Sequence, residues 1–437
     1  MQRDPRCTDL LERATKVLAG GPGTFSKHWE KYPEGLAPVG AVSGEGAYIV
    51  GTNGRVYLDT VAALGPVLLG YGHPLVDDAL LAQLKRGTSF SLLHPLEVEV
   101  GELLCTIMPT IDAVRWCRNG SDATGAAVRL ARAMTGKQTV LCCGYHGASS
   151  NDWYAVTTDK PAGVLAVNAQ YCFQIPFGDF SGVSPAMLDD LAAVIVEVPP
   201  FRWTGAAQAS PEECAALRRF QTLAHEHGAL FILDEVITML RYGLSGASGY
   251  YGLSPDLVTG GKALANGLPL AVLGGTAATM RRFDDGDLFC SYTYAGETTA
   301  LAACKAVIGV LRDTEALATL WTMGTRLGHG LVDLFAKYAL PAEVWGNAAR
   351  ISVRWQDTGE ATATHLRTIW LAEHARRGIL HGRGVIFPQA IWRSTEVTRL
   401  LEAAEATCVI IRDLLASKTA CDYAACPPIN PVITARA

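Results

Sequence analysis

The sequence predicts an α/β protein, with a large domain on a mainly parallel sheet and a smaller α+β domain. Three observations lead to this fold class. Short apolar runs at 139–142, 164–167, 193–198 and 230–233 alternate with stretches of helical periodicity. That alternation is how parallel strands covered by helices read in sequence. One of these runs, FILDEV at 231–236, delivers two adjacent carboxylates to the end of an apolar strand. Beyond about residue 330 the pattern changes to helices around a few extended pieces, including 350–355 and 384–387.

The 437 residues are enough for several domain-sized units and a large core. The expected division is 1–69, joining the smaller domain, 70–330 as the large domain, and 331–437 as the C-terminal α+β part. The 37 Lys and Arg against 42 Asp and Glu leave a net charge of −5. Nucleic acid and acidic membrane surfaces are therefore poor partners. Twelve cysteines, two of them adjacent at Cys142 and Cys143, do not form a disulfide framework, and a reducing cytoplasm is expected. The N-terminal MQRDPRCTDLLERATKVLAGG has no unbroken apolar core, and no stretch approaches a membrane span.

In chain order, the GYGHP punctuation at 70–74 precedes Leu75, Val76, Ala79, Leu80 and Leu84, spaced to present one apolar helical face inward. A second helix is expected to start at Ser121 as N-cap, with Ala127, Leu130, Ala131 and Met134 as its stripe. Ser210, Pro211, Glu212 and Glu213 read as a capping box with proline at the first helical position, and the helix closes before Gly228. A buried strand at 230–233 follows.

Four segments carry chemistry. Asp234 and Glu235 end a strand where ligands of open α/β sheets bind, although a helix cap or loop salt bridge would look the same. No phosphate-binding G-x-x-x-x-G-K-[ST] loop accompanies them, so a magnesium-nucleotide site lacks its other half. Lys262, 28 residues beyond Asp234 in TGGKALANGLP, is either a surface lysine in a flexible loop or an amine able to attack an aldehyde. In RNGSDATGAAVRLARA at 118–133, Gly120 and Ser121 open either a phosphate-binding helix or an ordinary capped one. Asp122 must point away if an anion is to bind there. In CCGYHGASS at 142–150, Tyr145 can stack on an aromatic ligand, and His146 can orient that ligand or a nearby carboxylate. Cys143 with His146 lacks a third group to make a thiol nucleophile. His225 and His227, two apart, do not share a helix face, and Cys421 and Cys426 have no evident partners, so no metal site is expected.

Taken in order, NGSDAT, GYHG, Glu197 after a strand, LDEV, GGKALANGLP and TYAGETTALAA resemble the fold-type I enzymes that use pyridoxal 5'-phosphate (PLP). More closely they resemble the class III aminotransferases, in the branch containing glutamate-1-semialdehyde 2,1-aminomutase. The resemblance spans roughly 35–330 and fades beyond. It implies PLP covalently bound to Lys262, pyridoxamine 5'-phosphate as the alternate form, and Asp234 as partner of the pyridine nitrogen. By the same resemblance Gly120 and Ser121 contact the phosphate and Tyr145 stacks on the ring. His146 and Glu197 belong to the cofactor surroundings. Thr293 reaches the phosphate of the other subunit, so a homodimer with active sites at the subunit interface is implied. Asp256 is expected to serve its own turn rather than catalysis.

Departures from the pattern bear on the substrate. Lys27 stands where the aminomutase stretch supplies an arginine for the substrate carboxylate, and lysine cannot make arginine's bidentate pair. Leu64 replaces a tryptophan, so the pocket wall contributed by 1–69 differs. Glu297 lies in TYAGETT, which replaces the more familiar serine-glycine-asparagine-proline ending, and either solvates the subunit boundary or helps select an amine. Arg393 is a further candidate for a substrate carboxylate. The expected activity is transamination between an amine or amino acid donor and an oxo acceptor by a ping-pong mechanism, in specialised biosynthesis. The alternatives are a 2,1-aminomutase and an amino acid racemase or epimerase.

Overall fold

The computed structural model describes residues 3–147, 152–382, 384–423 and 426–429. The chain folds into two compact units. One comprises Met1–His73, Pro200–Ala207 and Glu315–Val432, and the other is mainly Pro74–Pro199 and Gln208–Thr314. The sequence boundary at 330–331 falls inside the helix Ala316–Lys337, which belongs whole to the first unit because its Leu327, Leu331 and Phe335 enter that unit's core.

The larger unit is built on a seven-stranded sheet. Its order is Ala113–Cys117, Ala271–Gly275, Leu257–Gly260, Leu230–Glu235, Leu191–Glu197, Thr139–Cys143 and Cys172–Gln174. Ala271–Gly275 runs antiparallel to both its neighbours, and the remaining pairings are parallel. The C-terminal ends of six strands therefore share one edge. The helix Gly120–Thr135 packs across this sheet through Ala127, Leu130 and Ala131, while Met134 of its expected stripe stays exposed. The capping box forms as expected: Ser210 Oγ accepts from Glu213 N at 3.2 Å, and Glu213 Oε2 accepts from Ser210 N at 3.0 Å.

Three expectations for this unit are corrected. The run at 164–167 is not a strand; Ala166–Gln170 forms a 3-10 turn with Leu165 and Val167 exposed. The sheet edge beside it is already taken by Cys172–Gln174, so the run has no ladder to join. The helix Pro74–Leu84 exists, but Val76 and Gln83 are its buried residues, while Leu75, Leu81 and Leu84 face outward. Ser121 is not the N-cap. Asn119 is, accepting from Asp122 N at 3.1 Å through its own side chain.

The smaller unit holds a four-stranded sheet, Ala41–Glu45, Tyr48–Gly51, Val56–Asp59 and Ile379–Leu380, and a three-stranded one, Ala342–Asn347, Arg350–Trp355 and Val385–Ile386. The helices Ala316–Lys337, Ala363–Arg376 and Ser394–Ala416 enclose a core containing Phe335, Trp355, Trp370 and Trp392.

Candidate active site

The pleat of the strand Leu230–Glu235 sends its two terminal carboxylates to opposite faces. Glu235 is wholly buried and accepts from Ala247 N at 2.5 Å, Ser248 N at 2.8 Å and Thr238 Oγ1 at 3.0 Å. Burial pushes its carboxyl up from the ordinary range. It is committed to the chain around 247–248. Asp234, also buried, turns the other way. Its Oδ2 accepts from His146 Nδ1 at 2.8 Å, and its Oδ1 accepts from Val236 N at 3.0 Å and Thr259 Oγ1 at 3.3 Å.

Strand register sets the neighbours of Asp234: Glu197 lies beside it on one strand and Thr259 on the other. Glu197 Oε2 accepts from Tyr145 N at 3.0 Å and so grips the loop leaving the strand Thr139–Cys143. The Gly144 carbonyl accepts from Tyr154 Oη at 3.0 Å and Gln174 Nε2 at 3.2 Å. Thus fixed, the Tyr145 side chain is 50% exposed, with Tyr154 edge-on at 5.7 Å. A large aromatic ring held open at a strand end can accept a planar ligand.

The same loop is tied to the start of the helix Gly120–Thr135. Thr124 Oγ1 donates to the His146 carbonyl at 2.9 Å. Gly147, at φ +82°, lies so close that a Cβ there would be 2.2 Å from Ser121 Oγ. Gly120 has a different reason to lack a side chain, since its Cβ would meet Val236 Cγ1 at 2.8 Å. The close approach seen here comes from the chain just after Asp234. Asp122 Oδ2 accepts from Arg118 N and Asn119 N, both at 3.2 Å, and so folds back on the cap as an anion site requires. Gly120 and Ser121 then stand at the positive end of a 16-residue helix.

Lys262 follows the strand Leu257–Gly260 by two residues; that strand pairs with the one carrying Asp234, and Lys262 lies three residues past Thr259, the partner of Asp234. It is half-buried and adopts φ +45°. A non-glycine residue there costs about 1–2 kcal/mol, and such strain gathers at functional positions. An amine, a buried acid, a presented aromatic ring and a helix N-terminus form the donor set that suits a phosphorylated aromatic aldehyde, and the residues present fit PLP.

Other expected site residues lie as follows. Thr293 is exposed on a turn, one residue past Tyr292, whose Oη donates to the Asp122 carbonyl at 3.1 Å. Glu297 caps the helix Thr298–Asp313, accepting from Thr299 N at 3.2 Å and Ala300 N at 3.0 Å. Lys27, Leu64 and Arg393 belong to the smaller unit. Lys27 is exposed at the end of the turn Phe25–Lys27. Leu64, at φ +78°, closes three successive left-handed residues with Ala62 and Ala63. Asp59 holds that turn, accepting from Val61 N at 2.8 Å and Ala62 N at 3.3 Å. Arg393 is exposed before the helix Ser394–Ala416, its N–H donating to Glu396 Oε2 at 2.8 Å.

The thiol alternative fails on geometry, because His146 is engaged by Asp234 and burial pushes the Cys143 thiol up to about 12. Asp256 serves structure, though through Phe231 N at 2.8 Å and His225 Nε2 at 2.9 Å rather than its own turn. Sequence reasoning missed Thr259, Thr124, Tyr154 and Gln174. For Thr259 a signal existed: counting back along two paired strands from Lys262 and Asp234 places it beside the acid.

Residues 32–390 match the family model described as Aminotransferase class-III. The chain is 32% identical over 423 residues to a glutamate-1-semialdehyde 2,1-aminomutase of Thermomicrobium roseum, covering 90% of this chain and 96% of that one. Among solved structures, the PLP internal aldimine form of the Sphingopyxis sp. MTA144 FumI protein superposes with a TM-score of 0.83 at 28% identity, covering 94% and 98% of the two chains. An omega-transaminase from Sphaerobacter thermophilus gives 0.80 at 25% identity, covering 92% and 97%.

Proposed function

The chain belongs to the class III aminotransferases, a family of PLP-dependent enzymes, and from that premise we propose that it carries an amino group from a small amine or amino acid to an oxo acceptor. The work is divided into two half-reactions, with PLP held covalently on Lys262 and pyridoxamine 5'-phosphate as the alternate form. The observation that carries this reading is the convergence of Asp234, the Tyr145–His146 loop, the helix start at Gly120 and Lys262 on one end of one sheet.

When bound, the cofactor supplies an electron sink beside the substrate's α-carbon. Asp234 holds the proton of the ring nitrogen. Gly120 and Ser121 receive the phosphate, and Tyr145 covers the ring. Lys262 would hold the cofactor, and its free amine would be the base that takes the substrate's α-proton and the acid that delivers it across the nitrogen to the aldehyde carbon, a 1,3-shift. Lys27, Leu64 and Arg393 shape substrate choice, and the setting is cytoplasmic biosynthesis. All twelve cysteines are free thiols, and no described helix is long and apolar enough to cross a membrane.

The working form is a homodimer in which Thr293 completes the partner's phosphate site. Supporting this, Thr293 is flanked by exposed apolar residues, Phe289 at 72% and Tyr294 at 59%. Leu92, at 83% exposure, adds to the apolar surface of the same unit. The substitution Phe289→Glu should shift sedimentation toward monomer and weaken cofactor retention together; a dimer of unchanged stability would count against this surface.

A second reading, intramolecular 2,1-amino transfer, is favoured by the 32% identity to an aminomutase across most of both chains. The replacements at Lys27 and Leu64 favour transamination. The deciding experiment follows the visible spectrum of the PLP-loaded protein during additions of amine donors, then oxo acceptors, with products identified by mass spectrometry. Donor-driven conversion reversed by a separate acceptor supports transamination. One substrate converting to its isomer without net acceptor use supports the second reading, and no spectral change with any donor removes both.

A further inference from the structure

We propose that Tyr154 and Gln174 are positioning residues for the cofactor, acting only through the peptide unit that joins Gly144 to Tyr145 and so through the placing of the Tyr145 ring. The proposal rests on the reading given above, in which Tyr145 covers the ring of PLP, and concerns two side chains that reading leaves unused.

The carbonyl of Gly144 and the N–H of Tyr145 are the two ends of one planar peptide group. Both ends are gripped. Glu197 Oε2 accepts from Tyr145 N at 3.0 Å, while the Gly144 carbonyl accepts from Tyr154 Oη at 3.0 Å and from Gln174 Nε2 at 3.2 Å. A carbonyl oxygen has two lone pairs, so these two donors use its full capacity. The clamp matters because the residue ahead of this peptide is glycine. Gly144 sits at φ +112°, and a Cβ there would lie 2.6 Å from Glu197 Cβ, so a residue with a side chain cannot take its place. Glycine's wide choice of backbone angles leaves the peptide plane after it free to rotate. That plane sets φ of Tyr145, and with it the direction in which the Tyr145 side chain leaves the loop. Three hydrogen bonds supply the stiffness that the backbone at 144 lacks.

The three grips come from separate elements. Glu197 ends the strand on one side of Thr139–Cys143, Gln174 ends the strand on the other side, and Tyr154 comes from the short helix Asp152–Ala155. The loop is thus held from both flanking strands at once. Tyr154 is 1% exposed against 50% for Tyr145, so it stands behind the presented ring and does not present one itself. Its ring meets that of Tyr145 edge-on at 5.7 Å. Burial pushes the Tyr154 hydroxyl up, which keeps it protonated and donating. Losing the hydroxyl alone would leave the ring contact in place and release one side of the carbonyl.

The test is a double-mutant cycle on the full-length, PLP-loaded protein. Tyr154→Phe keeps the ring and removes the donor; Gln174→Met keeps the length of the side chain and removes the donor. Each is made alone and together with Tyr145→Ala. The readouts are the PLP dissociation constant from equilibrium dialysis and the visible circular dichroism of the bound cofactor, which reports how its ring is seated. With Tyr145 present, each substitution should raise the dissociation constant roughly 3-fold to 10-fold, the weight of one hydrogen bond, and weaken the dichroic band. In the Tyr145→Ala background neither should change the dissociation constant by more than about 2-fold. Wild-type affinity and dichroism in both single variants, or equal losses with and without Tyr145, would overturn the proposal while leaving Lys262 chemistry intact. Should Tyr154→Phe fail to fold, Gln174→Met decides by the same cycle. If the wild-type protein forms no borohydride-stable adduct at Lys262, this proposal and the reading beneath it fall together.

Discussion

Lys262 enters its turn at φ +45°, directly after Gly261 and two residues past the strand Leu257–Gly260. Replacing it with alanine should remove the borohydride-stable adduct and slow turnover by at least about 10²–10⁴-fold, the usual weight of a positioned acid–base group. The thermal midpoint should hardly move. A variant with normal turnover would end the assignment. Glu197 makes a subtler case, since its carboxylate does not need to touch the cofactor to matter. By accepting from Tyr145 N at 3.0 Å it decides where the Tyr145 ring stands. Glu197→Gln keeps an acceptor and should bind PLP nearly as wild type does. Glu197→Ala loses a hydrogen bond to a charged group, in the class of about 1.5–3 kcal/mol, and should raise the PLP dissociation constant about tenfold in dialysis.

At the scale of elements, the loop 144–147 and the helix Gly120–Thr135 behave as one piece, because Gly147 is seated on Ser121 and Thr124 holds the loop carbonyl. Gly147→Ala places a Cβ 2.2 Å from Ser121 Oγ and imposes a left-handed φ on a residue with a side chain. The backbone term alone is about 1–2 kcal/mol. We expect a lower unfolding midpoint in urea and a disproportionate loss of affinity for PLP over its dephosphorylated form. Equal losses for both ligands would detach this loop from the phosphate. The helix Pro74–Leu84 teaches a related lesson. Its periodicity was legible in Leu75, Val76, Ala79, Leu80 and Leu84, yet Leu75 and Leu84 face away from the chain's own core. Periodicity reports that apolar residues share a face. It does not report what covers that face.

At the scale of the whole molecule, two histidines of the smaller unit link stability to pH. His374 is buried, donates through Nδ1 to the Trp370 carbonyl at 2.8 Å, and is pushed down to about 4 by desolvation. His381, whose ring meets that of His374 at 4.6 Å, is pushed down as well, first by desolvation and then by its neighbour. In the unfolded chain both titrate near 6.5. Below that value the unfolded chain takes up protons that the folded chain refuses, so this contribution is complete above about 6.5 and is lost as pH falls toward 4 and below. Each histidine contributes a slope of at most about 1.4 kcal/mol per pH unit. Buried Asp59 and Glu235, both raised by desolvation, act in the opposite sense at the acid end. The comparison must therefore be between variants. Urea unfolding of His374→Gln should show a shallower loss of stability between about pH 6.5 and 4 than wild type. Parallel slopes would refute the linkage.

The residues proposed for the candidate site were marked in the sequence by local pattern, because each sits where a strand end, a glycine-flanked turn or a helix start reads from neighbouring residues. Asp234 at a strand end, Lys262 among glycines, and Gly120 and Ser121 at a helix start all read from the chain itself. The capping box at Ser210 read the same way, since its partners lie three residues apart. The rest depended on pairings between distant segments. Which of Asp234 and Glu235 faces the site follows from the pleat and the residues each meets, His146 lying 88 positions from its carboxylate partner. The run at 164–167 lost its place as a strand to the pairing of Cys172–Gln174 with Thr139–Cys143. Glu297 became a helix cap because the nearest unsatisfied N–H groups were those of its own helix. Local chemistry fixes what a residue is able to do, and tertiary pairing, by supplying its donors, its neighbours and its burial, decides which of those things it does.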